Sequence, residues 1–197
     1  GKQVRVIHLH PLNHAGYYPG ASQLHMKLVV DAETDAILGA QIVGEDGADK
    51  RVDVIATAMR AGLTATDLAD LELAYAPQFG SAKDPVNFAG FINDNLRRGE
   101  RSLQWHELDE RMAAGALLVD VRSPSEFAAG GIPGAVNIPL DELRERHPEI
   151  AGYDDVIVHC QVGLRGHNAA FLLTNLGYGV ANLDGGYLTW KHGKATA

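Results

Sequence analysis

The chain contains one cysteine, Cys160, and the residues around it predict a reactive site. The mostly apolar run Asp155–His159 predicts a buried strand that leads directly into this cysteine. The loop that follows consists of Cys160, Gln161, Val162, Gly163, Leu164 and Arg165. An apolar stripe over residues 169–176 then predicts a helix, which Gly177 ends. Cys160 is therefore expected beyond the carboxyl end of a strand, where open α/β sheets bind ligands.

This arrangement favours an anionic sulfur at Cys160. A loop of this length can turn its backbone N–H groups toward the sulfur, and the helix behind it adds the positive end of its dipole. Arg165 adds a full positive charge at the rim, and the loop contains no acid. Cys160 and Arg165 are therefore predicted to be catalytic, and residues 161–164 are predicted to form the substrate-binding loop. A thiolate at this position can attack sulfane sulfur, and the persulfide that forms is again an anion.

Two other interpretations of Cys160 are open at this point. Inert burial is the commoner fate of a single cysteine at a strand end. A glycine inside the loop, an arginine at its end and a helix behind it favour function instead. Phosphatase or arsenate chemistry also uses a cysteine and an arginine on such a loop, but only four residues separate Cys160 from Arg165. Those relatives use five, which enlarge the loop around a tetrahedral oxyanion.

The segment from about Ser102 to Lys191 resembles a rhodanese domain, through four motifs in the family's order. They are Asp120-Val121-Arg122 with Glu126-Phe127, Gly131-Ile132-Pro133-Gly134-Ala135 with Asn137-Ile138-Pro139, His159-Cys160 through Gly163 and Arg165, and Leu183-Asp184-Gly185-Gly186 with Trp190. The resemblance implies a sulfurtransferase that carries sulfane sulfur as a Cys160 persulfide. Two positions depart from the family pattern. Gly131 replaces a usual histidine, and Gly166-His167 replaces a pair that commonly carries a small hydroxyl or alanine.

Four polar residues near the cysteine are interpreted as structural. Asp120 is a carboxylate at a strand end, Arg122 is its partner cation, and Glu126 is the acid of a capping box. Together they are expected to hold the neighbouring loop in place. His159 is interpreted as a packed residue at the end of a strand, because an activated thiolate needs no separate base.

The first half of the chain predicts an α+β fold. Gln23–Val30 alternates between apolar and polar residues, and Ile37–Val43 resumes extended character after a polar turn, which predicts a hairpin. A one-faced helix is predicted from Asp49 to a stop at Gly62. The sequence also predicts a short helix capped through Thr64 and Asp67, and a last helix that begins at Pro85.

A charged, glycine-interrupted segment at Arg97–Arg101 predicts a domain boundary, so we expect domains at 1–98 and 102–197. Beyond it, short apolar strands alternate with helical patterns, which predicts an α/β fold with a parallel sheet. The predicted strands are Ala116–Val121, Ala135–Ile138, Asp155–His159 and Val180–Leu183.

Residues from roughly Val4 to Asn95 resemble the dimerisation domain of the pyridine nucleotide-disulfide reductases, in the coenzyme A-disulfide reductase branch. The resemblance is carried by Gly16-Tyr17-Tyr18-Pro19-Gly20, Gly47-Ala48-Asp49-Lys50-Arg51, Ala74-Tyr75-Ala76-Pro77 and Ser81-Ala82-Lys83-Asp84-Pro85-Val86-Asn87. It implies catalytic roles for Tyr17 and Tyr75, as phenols that face the flavin site of the opposite subunit. Packing of both tyrosines at a dimer surface is the alternative. Gln78 replaces a proline that is usual there.

The resemblance implies a parent enzyme that is a flavin-dependent coenzyme A-disulfide or persulfide reductase with a fused rhodanese domain. No Gly-x-Gly-x-x-Gly occurs in the chain, and no second cysteine could serve a flavin. We therefore expect a C-terminal fragment without cofactors of its own, from a parent that uses FAD, NAD(P)H and coenzyme A. A homodimer formed through the first domain is also implied.

Composition narrows the choice of partners. Seventeen Lys and Arg against twenty-five Asp and Glu give a net charge of -8, which argues against a nucleic-acid partner. The apolar stretches are too short to span a membrane, no leader pattern opens the chain and no metal site is predicted. We expect a cytoplasmic protein that acts on small-molecule sulfur donors and thiols. The alternative function is a persulfide-binding and dimerisation module that does not turn over.

Overall fold

The computed structural model describes residues 1–196, which form two compact units. The first unit, Gly1–Arg98, contains an antiparallel sheet in the order β1-β2-β3. Its strands are β1 (Val4–Leu9), β2 (His25–Asp31) and β3 (Ile37–Val43). Along β2, Met26, Leu28 and Val30 point into the core and alternate with half-buried residues, so one face of the sheet is covered.

Two helices, α1 (Ala48–Ala61) and α2 (Pro85–Arg97), bury apolar residues in the same core. The N-terminus of α2 is fixed by a capping box, because the Asp84 side chain accepts a hydrogen bond from the Val86 N–H and the Asn87 side chain accepts one from the Asp84 N–H. The short helix predicted after Thr64 is a 3₁₀ turn at Asp67–Asp70.

The second unit begins at Gly99 and contains a five-stranded sheet in the order β4-β8-β7-β5-β6, in which every neighbouring pair is parallel. Its strands are β4 (Ser102–Leu103), β5 (Leu117–Asp120), β6 (Val136–Asn137), β7 (Val156–His159) and β8 (Val180–Leu183). Its α-helices are α3 (Leu108–Ala113), α4 (Pro124–Ala128), α5 (Leu140–Arg146), α6 (Leu164–Asn175) and α7 (Gly186–Thr196).

Both faces of this parallel sheet are buried, and successive strand residues alternate between two apolar layers. Val156 and Val158 of β7 pack in the layer that includes Leu173 of α6. Ile157 packs in the opposite layer with Leu108 of α3, and Trp190 of α7 packs against that layer. The central strand β7 is therefore covered on both sides.

The predicted α+β first unit and parallel α/β second unit are confirmed. Of the four predicted parallel strands, only β8 has the predicted bounds. The other three are shorter, because most of the apolar residues at their predicted ends lie in buried loops. The two-residue strand β4 and helices α3 and α5 were not predicted, since each is too short to establish a period. No helix within residues 1–196 has the length and apolarity needed to cross a membrane.

Candidate active site

Cys160 follows the central strand β7 directly and is 1% exposed. The Gly163 N–H donates a hydrogen bond to the Cys160 sulfur over 3.2 Å. Gly163 has a φ of +101°, in the left-handed region that favours glycine, and it forms the N-cap of α6. The chain therefore turns back on itself so that a backbone donor at the helix N-terminus faces the sulfur, as the sequence predicted.

The carbonyl groups of the loop are held from outside by the first residues of α7. The Tyr187 N–H donates to the Cys160 carbonyl over 2.8 Å, and the Leu188 N–H donates to the Gln161 carbonyl over 3.0 Å. Gly186 makes this approach possible, with a φ of +64°. A Cβ atom on Gly186 would lie 2.5 Å from the Cys160 carbonyl oxygen and 2.9 Å from the Gly163 nitrogen. The loop is therefore shaped by α7 as well as by its own residues.

Gly166, one of the departures from the family pattern, has a structural explanation. Asn182 of β8 donates from Nδ2 to the Gly163 carbonyl over 3.2 Å. The side-chain oxygen of Asn182, Oδ1, occupies the space that a Cβ atom on Gly166 would need. Glycine at 166 and asparagine at 182 are therefore a matched pair that supports the loop. The neighbouring departure, His167, bonds through Nδ1 to Glu100 over 2.8 Å, and this bond raises the pKa of His167.

Arg165 forms a two-point ion pair with Glu126 of α4. Its Nη1 and Nη2 atoms donate to Oε2 and Oε1 of Glu126, both over 2.7 Å. Glu126 also accepts hydrogen bonds from the Ser123 N–H and hydroxyl. The bond from Arg165 is the largest cause that lowers the pKa of Glu126 to about 2, and the pKa of Arg165 is raised, first by Glu126 and also by the Cys160 sulfur. Although the loop contains no acid, a carboxylate from α4 therefore pairs with its arginine.

We predict that Arg165→Ala slows alkylation of Cys160 by iodoacetamide near neutral pH and moves the rate profile to higher pH. The substitution removes a cation beside the sulfur and leaves Glu126 unpaired, and both changes disfavour the thiolate. The loss should be partial, about three- to tenfold, because the Gly163 N–H remains. Arg146→Ala is the matched control, since Arg146 makes a similar two-point pair with Glu149 before β7. An unmoved profile would show that Arg165 does not tune the thiol.

Arg122 and Asp120 form a buried ion pair beside the loop. The two side chains are 3% and 0% exposed, and the Nη2 atom of Arg122 lies 2.6 Å from Oδ2 of Asp120. Arg122 also donates to the Gln161 side chain over 3.1 Å and to the Gly130 carbonyl over 2.7 Å. Its guanidinium lies 4.5 Å from the ring centre of Tyr187. These contacts tie the loop to β5 and α7, which fits the structural role predicted for both residues.

His159 is completely buried at the end of β7, where it pairs in register with Asp120 of the neighbouring strand β5. Its Nδ1 atom lies 3.3 Å from the Cys160 carbonyl oxygen, and its Nε2 atom lies 3.6 Å from Oδ2 of Asp120. Burial lowers the pKa of His159 to about 4, against the attraction of Asp120. His159 is therefore neutral near pH 7, in line with the packed residue predicted from the sequence.

Tyr17 and Tyr75 lie together in the first unit, although 58 positions separate them in the chain. Their hydroxyl oxygens are 2.6 Å apart. Both rings are exposed, at 76% and 48%, and the hydrogen bond shared with Tyr17 raises the pKa of Tyr75. The two phenols therefore form a hydrogen-bonded pair on the surface, while Cys160 and Arg165 belong to the second unit.

A buried arginine that the sequence did not single out holds the segments that carry these tyrosines. Arg51 of α1 is 1% exposed and donates from Nη2 to the Asn13 carbonyl over 2.6 Å and to Asp84 over 2.9 Å. The Ala15 N–H donates to the Gly80 carbonyl over 2.9 Å, which joins the two segments directly. The Gly47–Arg51 motif contains two cations, Lys50 and Arg51, but the pattern does not show that one of them is buried.

Two family models match the chain. Residues 1–85 match the pyridine nucleotide-disulphide oxidoreductase dimerisation domain, and residues 104–192 match the rhodanese-like domain. Each match falls within one of the two compact units. The chain therefore joins a dimerisation domain of the pyridine nucleotide-disulphide oxidoreductases to a rhodanese-like domain.

Two solved structures are similar to nearly the whole of this chain. The reduced Bacillus anthracis CoADR-RHD is 48% identical, with a TM-score of 0.93, over 95% of this chain and 34% of that one. A NAD-dependent persulfide reductase from A. fulgidus is 36% identical, with a TM-score of 0.86, over 96% and 34%. Coenzyme A disulfide reductase of Staphylococcus aureus is 46% identical over 78 residues, which are 40% of this chain and 18% of the relative. The chain thus spans about a third of these solved chains and less than a fifth of that curated relative.

Proposed function

We propose that the second unit is a sulfurtransferase in which Cys160 accepts sulfane sulfur and carries it as a persulfide. The observation that supports this most directly is the Gly163 N–H, which donates to the Cys160 sulfur from the N-terminus of α6. Arg165 adds a cation beside the same sulfur. A backbone donor and a cation at one buried sulfur stabilise a thiolate, and they can also stabilise the persulfide anion that replaces it.

Sulfur transfer at this site is a displacement in two halves. The Cys160 thiolate uses an electron pair to form a bond with the terminal sulfur of the donor, and the donor's sulfur–sulfur bond breaks. With thiosulfate, sulfite leaves with that electron pair. In the second half an acceptor nucleophile, such as cyanide or a thiolate, takes the terminal sulfur and restores the Cys160 thiolate.

The test is sulfur transfer from thiosulfate to cyanide, together with mass spectrometry of the protein after treatment with donor alone. We expect weak but measurable turnover and a stable adduct of one sulfur atom on the peptide that contains Cys160. The alternative, a module that binds persulfide without turnover, predicts the adduct but no thiocyanate. Absence of both products would contradict the proposal.

We further propose that the chain acts within a larger reductase of coenzyme A disulfide or persulfides, which uses FAD and NAD(P)H and dimerises through the first unit. The names of the Bacillus anthracis and A. fulgidus relatives, and their match to nearly the whole of this chain, support this setting. In it, the rhodanese-like domain would supply sulfane sulfur to a thiol or to coenzyme A, and the reductase would then reduce the product.

Within that reductase, we propose that Tyr17 and Tyr75 act together on one leaving sulfur. Their hydroxyl groups share a hydrogen bond, so the pair can present one phenol proton outward while the other is held between the two oxygens. A phenol that donates to a departing thiolate lowers the cost of the negative charge on sulfur.

We predict that Tyr17→Phe and Tyr75→Phe leave sulfur transfer by this chain nearly unchanged but slow the disulfide or persulfide reductase activity of the full-length protein. Each substitution removes one hydroxyl from the pair, so the double variant should lose less than the product of the two single losses. The measurement is steady-state kinetics with flavin content and dimer mass determined for each variant. Full reductase activity of an intact double variant would leave both tyrosines as packing residues.

A further inference from the structure

We propose that Glu126 sets the donor preference of the sulfur-transfer site, by neutralising Arg165 and so disfavouring a dianionic donor such as thiosulfate relative to a persulfide. This inference rests on the proposed function, because it concerns the molecule that the Cys160 thiolate attacks. It adds a role to a residue whose sequence context indicates only a helix cap.

The geometry of the pair restricts what Arg165 can do for a ligand. Both terminal nitrogens of Arg165 donate to the Glu126 carboxylate over 2.7 Å, so the guanidinium cannot turn that edge toward an incoming anion without breaking the pair. Glu126 is also held independently of Arg165, because the Ser123 N–H and hydroxyl each donate to it over 3.0 Å. The carboxylate is thus a fixed part of α4, and Arg165 docks onto it.

Each arginine that contacts the loop or lies at its end is paired with a carboxylate. Arg165 and Glu126 side chains are 37% and 35% exposed, so this neutral pair lies where solvent and donor molecules reach. Arg122, the other arginine that contacts the loop, is paired with Asp120 and buried. Both cations beside the loop are therefore balanced by a carboxylate, and the site offers hydrogen-bond donors without net positive charge.

A neutral rim discriminates between donors by their charge. Thiosulfate carries two negative charges and must give up part of its hydration to reach a buried sulfur. An alkyl persulfide carries one charge or none, and its terminal sulfur is attacked in the same way, with the alkyl thiolate leaving with the electron pair of the broken bond. Because the Coulomb energy is proportional to the charge of the donor, an unpaired arginine would favour thiosulfate more strongly than a persulfide.

The test is Glu126→Gln, assayed with thiosulfate and with the persulfide of 2-mercaptoethanol, and with cyanide as the acceptor for both. In a ping-pong reaction, kcat/KM for the donor depends only on the first half, in which sulfur moves from the donor to Cys160. We expect kcat/KM for thiosulfate to rise about three- to tenfold and that for the persulfide to rise about two- to threefold, as expected for one charge at a partly exposed site. Glutamine keeps the capping position at the start of α4.

Glu149→Gln is the matched control, because Glu149, in the 3₁₀ turn before β7, makes a two-point pair with Arg146 and is not bonded to Arg165. It changes the net charge equally and should leave the donor ratio unchanged. The double variant Glu126→Gln/Arg165→Ala should lose the gain for thiosulfate. The wild-type protein provides a measurement that needs no substitution. Its kcat/KM for thiosulfate should not fall as salt is raised, whereas that of Glu126→Gln should fall.

The outcomes separate the inference from the proposed function. If the wild-type protein transfers no sulfur from either donor, the proposed function fails and this inference fails with it. If the wild-type protein is active but Glu126→Gln changes both donors equally, or Glu149→Gln produces the same shift, Glu126 only supports the loop. A fall of wild-type kcat/KM for thiosulfate with salt would also contradict the inference, including when Glu126→Gln does not fold.

Discussion

Replacing Cys160 with serine is expected to abolish sulfur transfer by this chain while leaving its fold intact. The hydroxyl oxygen of serine can accept the Gly163 hydrogen bond that the sulfur now accepts, so the loop keeps its local support. A hydroxyl near neutral pH is neither ionised nor able to hold sulfane sulfur as a stable persulfide. Loss of activity should exceed about a thousandfold, the scale seen when a covalent nucleophile is removed.

The measurement for Cys160→Ser is thiocyanate production, followed in parallel with thermal unfolding and with the mass of the protein after treatment with donor. An unfolding midpoint within a few degrees of the wild type is the control for folding. Because the chain has no other cysteine, any sulfur adduct that persisted in the variant would have to reside on another residue. Transfer that continued at the wild-type rate would remove the basis of the proposed function.

The second large effect is expected at a glycine outside the loop. Gly186→Ala should reduce sulfur transfer about a hundredfold, because small displacements of reacting groups can cost that much. The new Cβ atom would approach the Cys160 carbonyl oxygen at 2.5 Å and the Gly163 nitrogen at 2.9 Å, and both of these atoms belong to the backbone. The loop would have to move, which would displace the Gly163 donor from the sulfur.

Gly177→Ala is the matched control for this substitution. Gly177 also has a positive φ, of +92°, but no atom lies within 4 Å of the position that its Cβ would take. The positive φ alone should cost both variants a similar amount of stability, on the order of 1 kcal/mol, and Gly186→Ala should lose more because its Cβ also displaces the loop. Only Gly186→Ala should lose sulfur transfer. Equal activities in the two variants would show that the approach of α7 to the loop does not determine the chemistry.

The sequence predicted the fold class of both units because their apolar periods are strong and their helix signals are local. The alternation in β2, the proline-opened helix α2 and the buried strand β7 each have a pattern within a few residues. The motifs around Cys160 also placed the loop between a strand and a helix. Such features depend on neighbours in the chain, which a single sequence displays.

Contacts between residues that are far apart in the chain could not be predicted from such local patterns. The pair of Arg165 with Glu126 joins positions 39 apart, and the match between Gly166 and Asn182 depends on how α6 packs on β8. The burial of Arg51 likewise follows from three segments that meet in space. Sequence reasoning identified Arg165 as a cation at the rim, but it could not show that this cation is already paired.

The bonds from Tyr187 and Leu188 to the loop also bear on how the second unit is made. During synthesis the strand β7 and Cys160 emerge first, and the donors that shape the loop follow more than twenty residues later. A ribosome adds roughly 5 to 20 residues per second, so Cys160 spends at least about a second without these partners. The two backbone donors that hold the loop from outside are therefore in place only when α7 docks, after all five strands of the sheet have been synthesised.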